Sequence, residues 1–172
     1  MNLARLLDRA GRVAGDRTAV WHGERAVATH AGLAAQAAAL AGGMRARLGL
    51  SPGDRVALLM SNGPDTLPCL FACWQAGLVA VPVNAKLHAR EVAFILENSG
   101  ARLVLTTPDL AATAQEAVAG LSPQPEVLEA GSAGFRALLS AAPVAPHPTV
   151  ADDPAWLFYT SGTTGRPKGA TL

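Results

Sequence analysis

Residues suited to binding an anion are concentrated in the last seventeen positions of the chain, from Trp156 onward. An apolar, aromatic segment runs directly into a loop of glycines and hydroxyl side chains, which ends in Lys168. Glycines allow backbone N–H groups to converge on an anion because no Cβ atom stands in the way. The hydroxyl groups add hydrogen-bond donors, and the lysine adds a full positive charge. This order of residue types predicts a polyphosphate-binding loop at the end of a rigid strand.

The loop differs from the common phosphate-binding loop, in which a glycine, four further residues and Gly-Lys-Ser/Thr occur in that order. Here Lys168 lies three residues beyond Gly165, follows Pro167 and precedes Gly169. A helix that begins inside the loop is therefore not expected, and anion binding must depend on the loop itself rather than on a helix dipole. The alternative is an exposed turn rich in small residues. That alternative is disfavoured because the ordered string follows an apolar strand directly.

The elements that must position this loop predict an α/β fold, with a mostly parallel sheet flanked by helices. Apolar segments of strand length alternate with segments of helical periodicity, and the strands lack the clean alternation of a half-exposed sheet. The predicted strands are 55–60, 78–83, 102–106, 126–128 and 155–159, and the predicted helices between them are 66–76, 89–98, 107–121 and 133–141. We interpret 142–153 as a surface linker and 156–169 as the phosphate-binding strand and loop.

The first third of the chain predicts a helix, a hairpin and a second helix. The face expected to be buried in the first helix consists of Leu3, Leu6, Leu7, Ala10 and Val13. The hairpin is expected at 18–22 and 25–29, and Thr29 is placed to cap the long helix that follows. Gly42 and Gly43 lower the helical propensity of that second helix, which indicates close packing at this point.

Length and composition indicate one folded domain. The chain has 172 residues, half of them hydrophobic, and a net charge of +1. Disordered chains combine low hydrophobicity with high net charge, and nucleic-acid-binding proteins usually carry a basic excess, so neither class is favoured. Residues 66–85 carry no charge, but Gly77 divides them into a helix and a strand, which disfavours a membrane span. The first residues mix charges with leucines and do not resemble a secretory signal, so we expect a cytoplasmic protein.

Other chemically versatile residues are interpreted as structural, and no metal ligands are predicted. Cys69 and Cys73 lie four residues apart on an apolar helix with no histidine nearby in sequence, so buried free thiols are expected. The four histidines are not paired with a nucleophile and an acid, which disfavours a hydrolase triad. Asp152 and Asp153 precede the last strand and are expected to be solvated. The three tryptophans, Trp21, Trp74 and Trp156, are expected to be core or half-buried residues.

The eleven residues Tyr159–Gly169, which read YTSGTTGRPKG, resemble the signature of the adenylate-forming superfamily. This superfamily includes acyl-CoA synthetases, adenylation domains of peptide synthetases and luciferases. Four upstream segments are similar to the family's N-terminal region in the same order: 53–58, 61–62, 75–84 and 91–101. Within the superfamily, the residues around Asn84 and Leu96 are more similar to fatty- or aryl-acid CoA ligases than to peptide synthetases. The resemblance implies the incomplete N-terminal portion of the large domain of such an enzyme.

The resemblance implies ATP-dependent activation of a carboxylic acid as an acyl-adenylate, followed by thioester formation with coenzyme A. It implies that seven residues contact the phosphates of ATP, with Mg²⁺ sharing the charge: Thr160, Ser161, Gly162, Thr163, Thr164, Gly165 and Lys168. Arg166 occupies a position that the family leaves variable and receives no role. Family members continue well beyond Gly169, so we expect a fragment without catalytic residues or ligase activity of its own. We also expect that no element holds the far end of the loop.

Two alternatives remain open at this point. The first is an adenylation module that loads the thiol of a carrier protein, which shares the same signature. The second is a non-catalytic nucleotide-binding or interaction protein. The second is disfavoured because an incomplete sheet would leave strand edges and apolar surface uncovered.

Overall fold

A four-stranded parallel sheet forms the centre of the computed structural model, which describes residues 2–160 and 167–172. Its strands are β3 (Arg55–Leu59), β4 (Val79–Val83), β5 (Ala101–Thr106) and β6 (Glu126–Glu129), in the order β4-β3-β5-β6. Helices connect these strands, which allows each strand to run in the same direction as its neighbours. The α/β fold predicted from the sequence is confirmed.

Helices cover both faces of the sheet. Successive side chains of a strand point to opposite faces, and in the central strands the side chains on both faces are apolar and must be buried. Val56 and Leu58 of β3 pack into one cluster, and Ala57 and Leu59 pack into the other. The first cluster is closed by α2 (His30–Ala46), α3 (Thr66–Ala76) and α6 (Ala133–Leu139). The second is closed by α4 (Ala89–Ser99) and α5 (Ala111–Val118).

A smaller unit precedes the sheet and consists of α1 (Ala4–Val13), β1 (Thr18–His22), β2 (Arg25–Thr29) and the start of α2. The strands β1 and β2 form the predicted antiparallel hairpin. Thr29 caps α2 as predicted, because its Oγ1 accepts a hydrogen bond from the N–H of Gly32 at 3.1 Å.

Two predictions about burial in this unit are wrong. Leu6 and Val13 of α1 are 56% and 78% exposed, because the helix buries only a narrow side through Ala4 and Leu7. Trp21 is 61% exposed and is neither a core nor a half-buried residue. It lies in β1, next to the hairpin turn, where the last two residues of the strand are both exposed.

The glycine pair in α2 lies where the predicted close contact occurs. A Cβ atom on Gly43 would lie 2.6 Å from the Cα of Leu138 in α6, and one on Gly42 would collide with the carbonyl oxygen of Ala142. Residues 142–153 form neither helix nor strand and cross the outer side of α2 and α3. The N–H of His147, within this segment, donates to the carbonyl of Gln75 at 2.9 Å.

The predicted helix 107–121 is shorter than expected and is divided. It begins as a 3-10 turn, Pro108–Leu110, and becomes α5 only at Ala111. Leu110 has φ −109° and ψ 0°, which departs from helical geometry and separates the two parts. Among the described residues, no helix combines the length and the apolar character needed to cross a bilayer.

The chain ends in an antiparallel hairpin of β7 (Leu157–Thr160) and β8 (Lys168–Thr171). The strand β7 lies beside β4 and runs parallel to it. Among the described residues, the two segments pair through one bridge, between Ala80 and Trp156, the residue that precedes β7. The expectation that no element holds the far end of the loop is wrong, because β8 does so by pairing with β7. The residues of β8 are small or polar and have no alternating apolar pattern. The strand is therefore stabilised by its pairing with β7.

Candidate functional site

The structure brings two of the seven predicted site residues together at the base of the loop. Thr160 is the last residue of β7, Lys168 is the first of β8, and they are cross-strand partners. Both are exposed. The other five predicted contacts lie outside the described residues: Ser161, Gly162, Thr163, Thr164 and Gly165. The hydroxyl group and the ammonium group therefore lie on neighbouring strands at the two ends of the glycine-rich segment.

The base of the loop lies at the carboxyl edge of the parallel sheet. Because β7 runs parallel to β4, its last residue, Thr160, is at the same edge as the turns that follow β3, β4 and β5. In open α/β sheets, ligands bind outside the carboxyl ends of the strands. The position of Thr160 and Lys168 agrees with that rule.

One face of the hairpin is held by a run of aromatic rings. Trp156 stacks on Phe158, with ring centroids 4.9 Å apart, and meets Trp74 of α3 edge-on at 4.6 Å. Phe71, one turn earlier in α3, contacts Trp74 in the same manner at 5.1 Å. The indole N–H of Trp74 also donates to the carbonyl of Ala155 at 2.9 Å. These contacts attach the start of β7 to α3.

The opposite face of the hairpin packs against the α4 side of the sheet. Leu157 and Tyr159 point there, because alternate residues of a strand face opposite sides. The hydroxyl of Tyr159 donates a hydrogen bond to Oδ1 of Asn98 in α4 at 2.7 Å. Burial raises the pKa of the Tyr159 hydroxyl, and the nearby side chain of Ser99 partly offsets this effect. The hydroxyl therefore stays protonated and remains a donor at neutral pH.

A polar network occupies the same carboxyl edge between β3 and β5. The hydroxyl of Ser61 donates to Oδ2 of Asp109 at 2.5 Å, and the N–H of Ser61 donates to Oγ1 of Thr107 at 3.1 Å. The hydrogen bond from Ser61, and then the nearby hydroxyl group of Thr107, lower the pKa of the Asp109 carboxyl. Sequence reasoning identified Ser61 only as part of a turn and Asp109 only as an acid at a helix start. A polar residue after each of two buried strands was the signal that could have linked them.

The two cysteines and the adjacent aspartates Asp152 and Asp153 lie in the settings predicted for them. Cys69 and Cys73 are free and buried, and burial raises the pKa of the Cys73 thiol to about 12. Asp152 and Asp153 are exposed and precede β7, away from the loop. Within residues 2–160 and 167–172, no three His, Cys, Asp or Glu residues form a metal-binding group.

A cavity of about 540 Å³ lies at the opposite edge of the sheet. Its lining includes Gly53, Leu78 and Ala155, which precede β3, β4 and β7 respectively. Because the loop follows β7 and the cavity precedes it, the cavity is not part of the candidate phosphate site.

Comparison with known proteins places these features in a family. Residues 7–172 match the family model described as AMP-binding enzyme. A feruloyl-CoA synthase from Amycolatopsis sp is 44% identical over 166 residues, which are 95% of this chain and 32% of that protein. A fatty acid–[acyl-carrier-protein] ligase, ScoC, from Streptomyces coeruleorubidus is 39% identical over 127 residues, 72% of this chain and 24% of that protein.

Solved structures give the same result. The inhibitor-bound N-terminal domain of FACL13 from Mycobacterium tuberculosis superimposes with a TM-score of 0.87 and 34% identity, covering 99% of this chain and 44% of that one. This chain thus spans about a third or less of the length of the two relatives named above. The match of the family model over nearly the whole sequence shows that the chain belongs to the AMP-binding, adenylate-forming enzyme family.

Proposed function

We propose that this chain supplies the pyrophosphate-binding loop of an AMP-forming carboxylate–CoA ligase. The observation that carries the proposal is the pairing of Thr160 with Lys168 at the carboxyl edge of the sheet. This pairing places a hydroxyl donor and a positive charge at the two ends of the glycine-rich segment. The similarity to CoA ligases in sequence and structure supports the same reaction class.

The chemistry requires a site that binds the departing phosphates. A carboxylate is a poor electrophile because its leaving group would be an oxide, and attack on the α-phosphate of ATP converts it into an acyl-adenylate with AMP as leaving group. The β- and γ-phosphates leave as pyrophosphate and carry the developing negative charge. Lys168 and the loop hydroxyls would stabilise that charge, as in other phosphoryl-transfer enzymes.

Mg²⁺ fits this site as a companion of the nucleotide. It prefers oxygen ligands and usually binds through substrate phosphates together with a small number of protein groups and waters. The hydroxyl of Thr160, at the base of the loop, is an oxygen donor of that kind. When bound, the ion shares the charge of the phosphates, while the chain's own residues hold them in place.

The remaining substrates are a carboxylic acid, itself a small molecule rather than a protein or nucleic acid, and the thiol of coenzyme A. A second acceptor, the thiol of a carrier protein, is supported by the similarity to ScoC, whose name specifies an acyl-carrier-protein. We place the reaction in the cytoplasm, a reducing compartment in which Cys69 and Cys73 would remain free thiols, as they are here. By itself, the 172-residue chain is expected to form no acyl-CoA, because it spans only 32% of the feruloyl-CoA synthase.

The test is replacement of Lys168 by alanine in the complete gene product. Adenylate formation, measured by the exchange of labelled pyrophosphate into ATP, should fall by about 10²- to 10³-fold, as expected when one charge-stabilising group is lost. Arg45→Ala is the matched control, since it removes an exposed positive charge in the last turn of α2. Undiminished exchange in the Lys168 variant would contradict the proposed role of the loop.

A further inference from the structure

The hairpin that carries the loop is joined to the sheet at only one of its ends. Within the described residues, backbone pairing between the hairpin and β4 consists of the bridge between Ala80 and Trp156, the residue that precedes β7. Thr160 lies four residues beyond Trp156, which is about 13 Å along an extended strand. A hairpin held by a bridge at one end can pivot about it, and the pivot moves the loop end most. Some other contact must fix that end.

Tyr159 makes the contact that fixes it. Its hydroxyl bonds to Asn98 of α4 at 2.7 Å, and its ring lies against the apolar cluster between α4 and the sheet. Tyr159 directly precedes Thr160, so this bond acts at the loop end of β7 and not at the bridge. The helix α4 is itself packed firmly, since Val92, Ile95 and Leu96 are at most 1% exposed.

The same ring also constrains β8. The cross-strand partner of Tyr159 is Gly169, the residue that directly follows Lys168. A Cβ atom on Gly169 would lie 3.3 Å from Cζ of Tyr159 and 3.1 Å from Cδ1 of Leu157, so the missing side chain leaves the space over which the tyrosine ring lies. Both strands are therefore held one residue below Thr160 and Lys168.

We propose that Tyr159 and Asn98 form a positioning pair that sets the orientation of the loop base relative to the sheet. Both are positioning residues, which act through Thr160 and Lys168. The purpose of the pair rests on the proposed function, because a phosphate-binding loop must hold its donors within tenths of an ångström of the productive geometry. The hydrogen bond itself is a property of the hairpin, with or without nucleotide.

The test measures the motion of the hairpin in the 172-residue chain by amide hydrogen exchange. Tyr159→Phe removes only the hydroxyl group, and Asn98→Leu replaces the carboxamide, with its acceptor oxygen, by an apolar group of similar size. Each should accelerate exchange in β7 and β8 about fivefold, the effect of one lost hydrogen bond, and leave the amides of β3 and β5 unchanged. Asn98→Asp keeps an acceptor oxygen and should exchange like the unaltered chain.

The double variant separates a specific pair from two independent effects. If the two groups act on each other, Tyr159→Phe combined with Asn98→Leu should be no faster than either single variant. Additive effects, unchanged exchange in both single variants, or equal acceleration in β3 and β5 would each overturn the proposal. Unchanged exchange of the amides of β3 and β5 shows that a variant has not lost its structure as a whole.

A parallel measurement distinguishes this proposal from the proposed function. Binding of MgATP is followed by calorimetry in the complete gene product and in its Tyr159→Phe variant. Weaker binding in the variant, together with faster exchange, supports both the pair and the function. If the complete, unaltered gene product binds no MgATP while exchange still shows the coupling between Tyr159 and Asn98, the pair stands and the proposed function is contradicted.

Discussion

The central sheet and the terminal hairpin are built in opposite ways. In β3, four of the five residues are buried, and helices cover both faces of the sheet. In β8 every residue is exposed, and β7 is at most half-buried. Burial holds β3, β4 and β5. Among the described residues, the hairpin is attached to the rest of the fold by one bridge, aromatic contacts, the packing of Leu157 and hydrogen bonds made by Trp74 and Tyr159. Stability and candidate chemistry therefore reside in different parts of the molecule.

The largest difference is expected in thiol reactivity, which reports on the buried region. With its pKa raised to about 12, Cys73 should have about 10³-fold less thiolate at pH 8 than an exposed cysteine. The reaction of the native chain with a disulfide reagent should be slower by at least that factor. The control is the chain in denaturant, where Cys69 and Cys73 should both react at the rate of free cysteine. Fast reaction under native conditions would show that α3 opens readily, which would contradict the firm packing of the buried region.

The same leucine-to-alanine substitution should lower the free energy of unfolding more in the sheet than in the hairpin. Leu103 of β5 is 1% exposed, and Leu103→Ala should lower the free energy of unfolding by about 2–5 kcal/mol. Leu157 of β7 is only half-buried, and Leu157→Ala should lower it by less than about 1.5 kcal/mol. Urea denaturation followed by circular dichroism measures both. Equal losses would show that the hairpin is part of the cooperative core.

Two glycine-to-alanine substitutions compare the stability of the buried region and of the hairpin by adding one methyl group to each. The Cβ atom of Gly43→Ala would lie 2.6 Å from the backbone of Leu138, which cannot move without displacing α6, so a loss of about 1–3 kcal/mol is expected. In Gly169→Ala the new atom meets side chains at 3.1 and 3.3 Å, and the loss should stay below about 1 kcal/mol because Tyr159 can shift. Thermal unfolding measures the difference.

The control for the helix is Gly32→Ala, also in α2. Its Cβ atom would meet Oγ1 of Thr29 at 3.4 Å, an ordinary contact, so the gain in helical propensity should leave the chain as stable or slightly more stable. A loss in Gly32→Ala as large as that in Gly43→Ala would contradict the contact with α6 as the cause.

The same contrast explains what could be predicted from the sequence. Buried elements follow from local pattern, and the apolar segments gave β3, β4 and β5 within two residues of their observed ends. The hairpin depends on contacts between distant positions, such as Tyr159 and Asn98, which are 61 residues apart, and no local pattern reveals them. Periodicity also predicted the direction of the buried face of α1 but not its width, so Leu6 and Val13 were wrongly predicted to be buried.

The candidate site was predicted from the types and order of its residues. The structure adds the geometry of the site only at the base of the loop. Lys168 was identified because a lysine in a loop of glycines and hydroxyls suits a polyphosphate. Its pairing with Thr160 was not predictable, because β8 lacks the alternating apolar residues that mark a strand. The predicted contacts from Ser161 to Gly165 lie outside the described residues and stay predictions.

The smallest expected effect concerns Asp109, which lies at the carboxyl edge in the 3-10 turn after β5 and not in the hairpin. Its pKa is lowered first by the hydrogen bond from Ser61, so Ser61→Ala should raise that pKa toward the ordinary value for aspartate. Carboxyl ¹³C shifts followed during an acid titration measure the change.

Because the folded-state pKa of Asp109 is lowered, the stability that this carboxylate contributes is present above the ordinary pKa of aspartate, about 4, and is lost as the pH falls through the lowered value. The part of the stability difference between the unaltered chain and Ser61→Ala that depends on this charge should therefore be constant near neutral pH and disappear in acid. Tyr159 and Lys168 should be unaffected, since their contacts belong to the hairpin. A change in hairpin exchange on removing the Ser61 hydroxyl would show instead that the two regions share one network along the carboxyl edge.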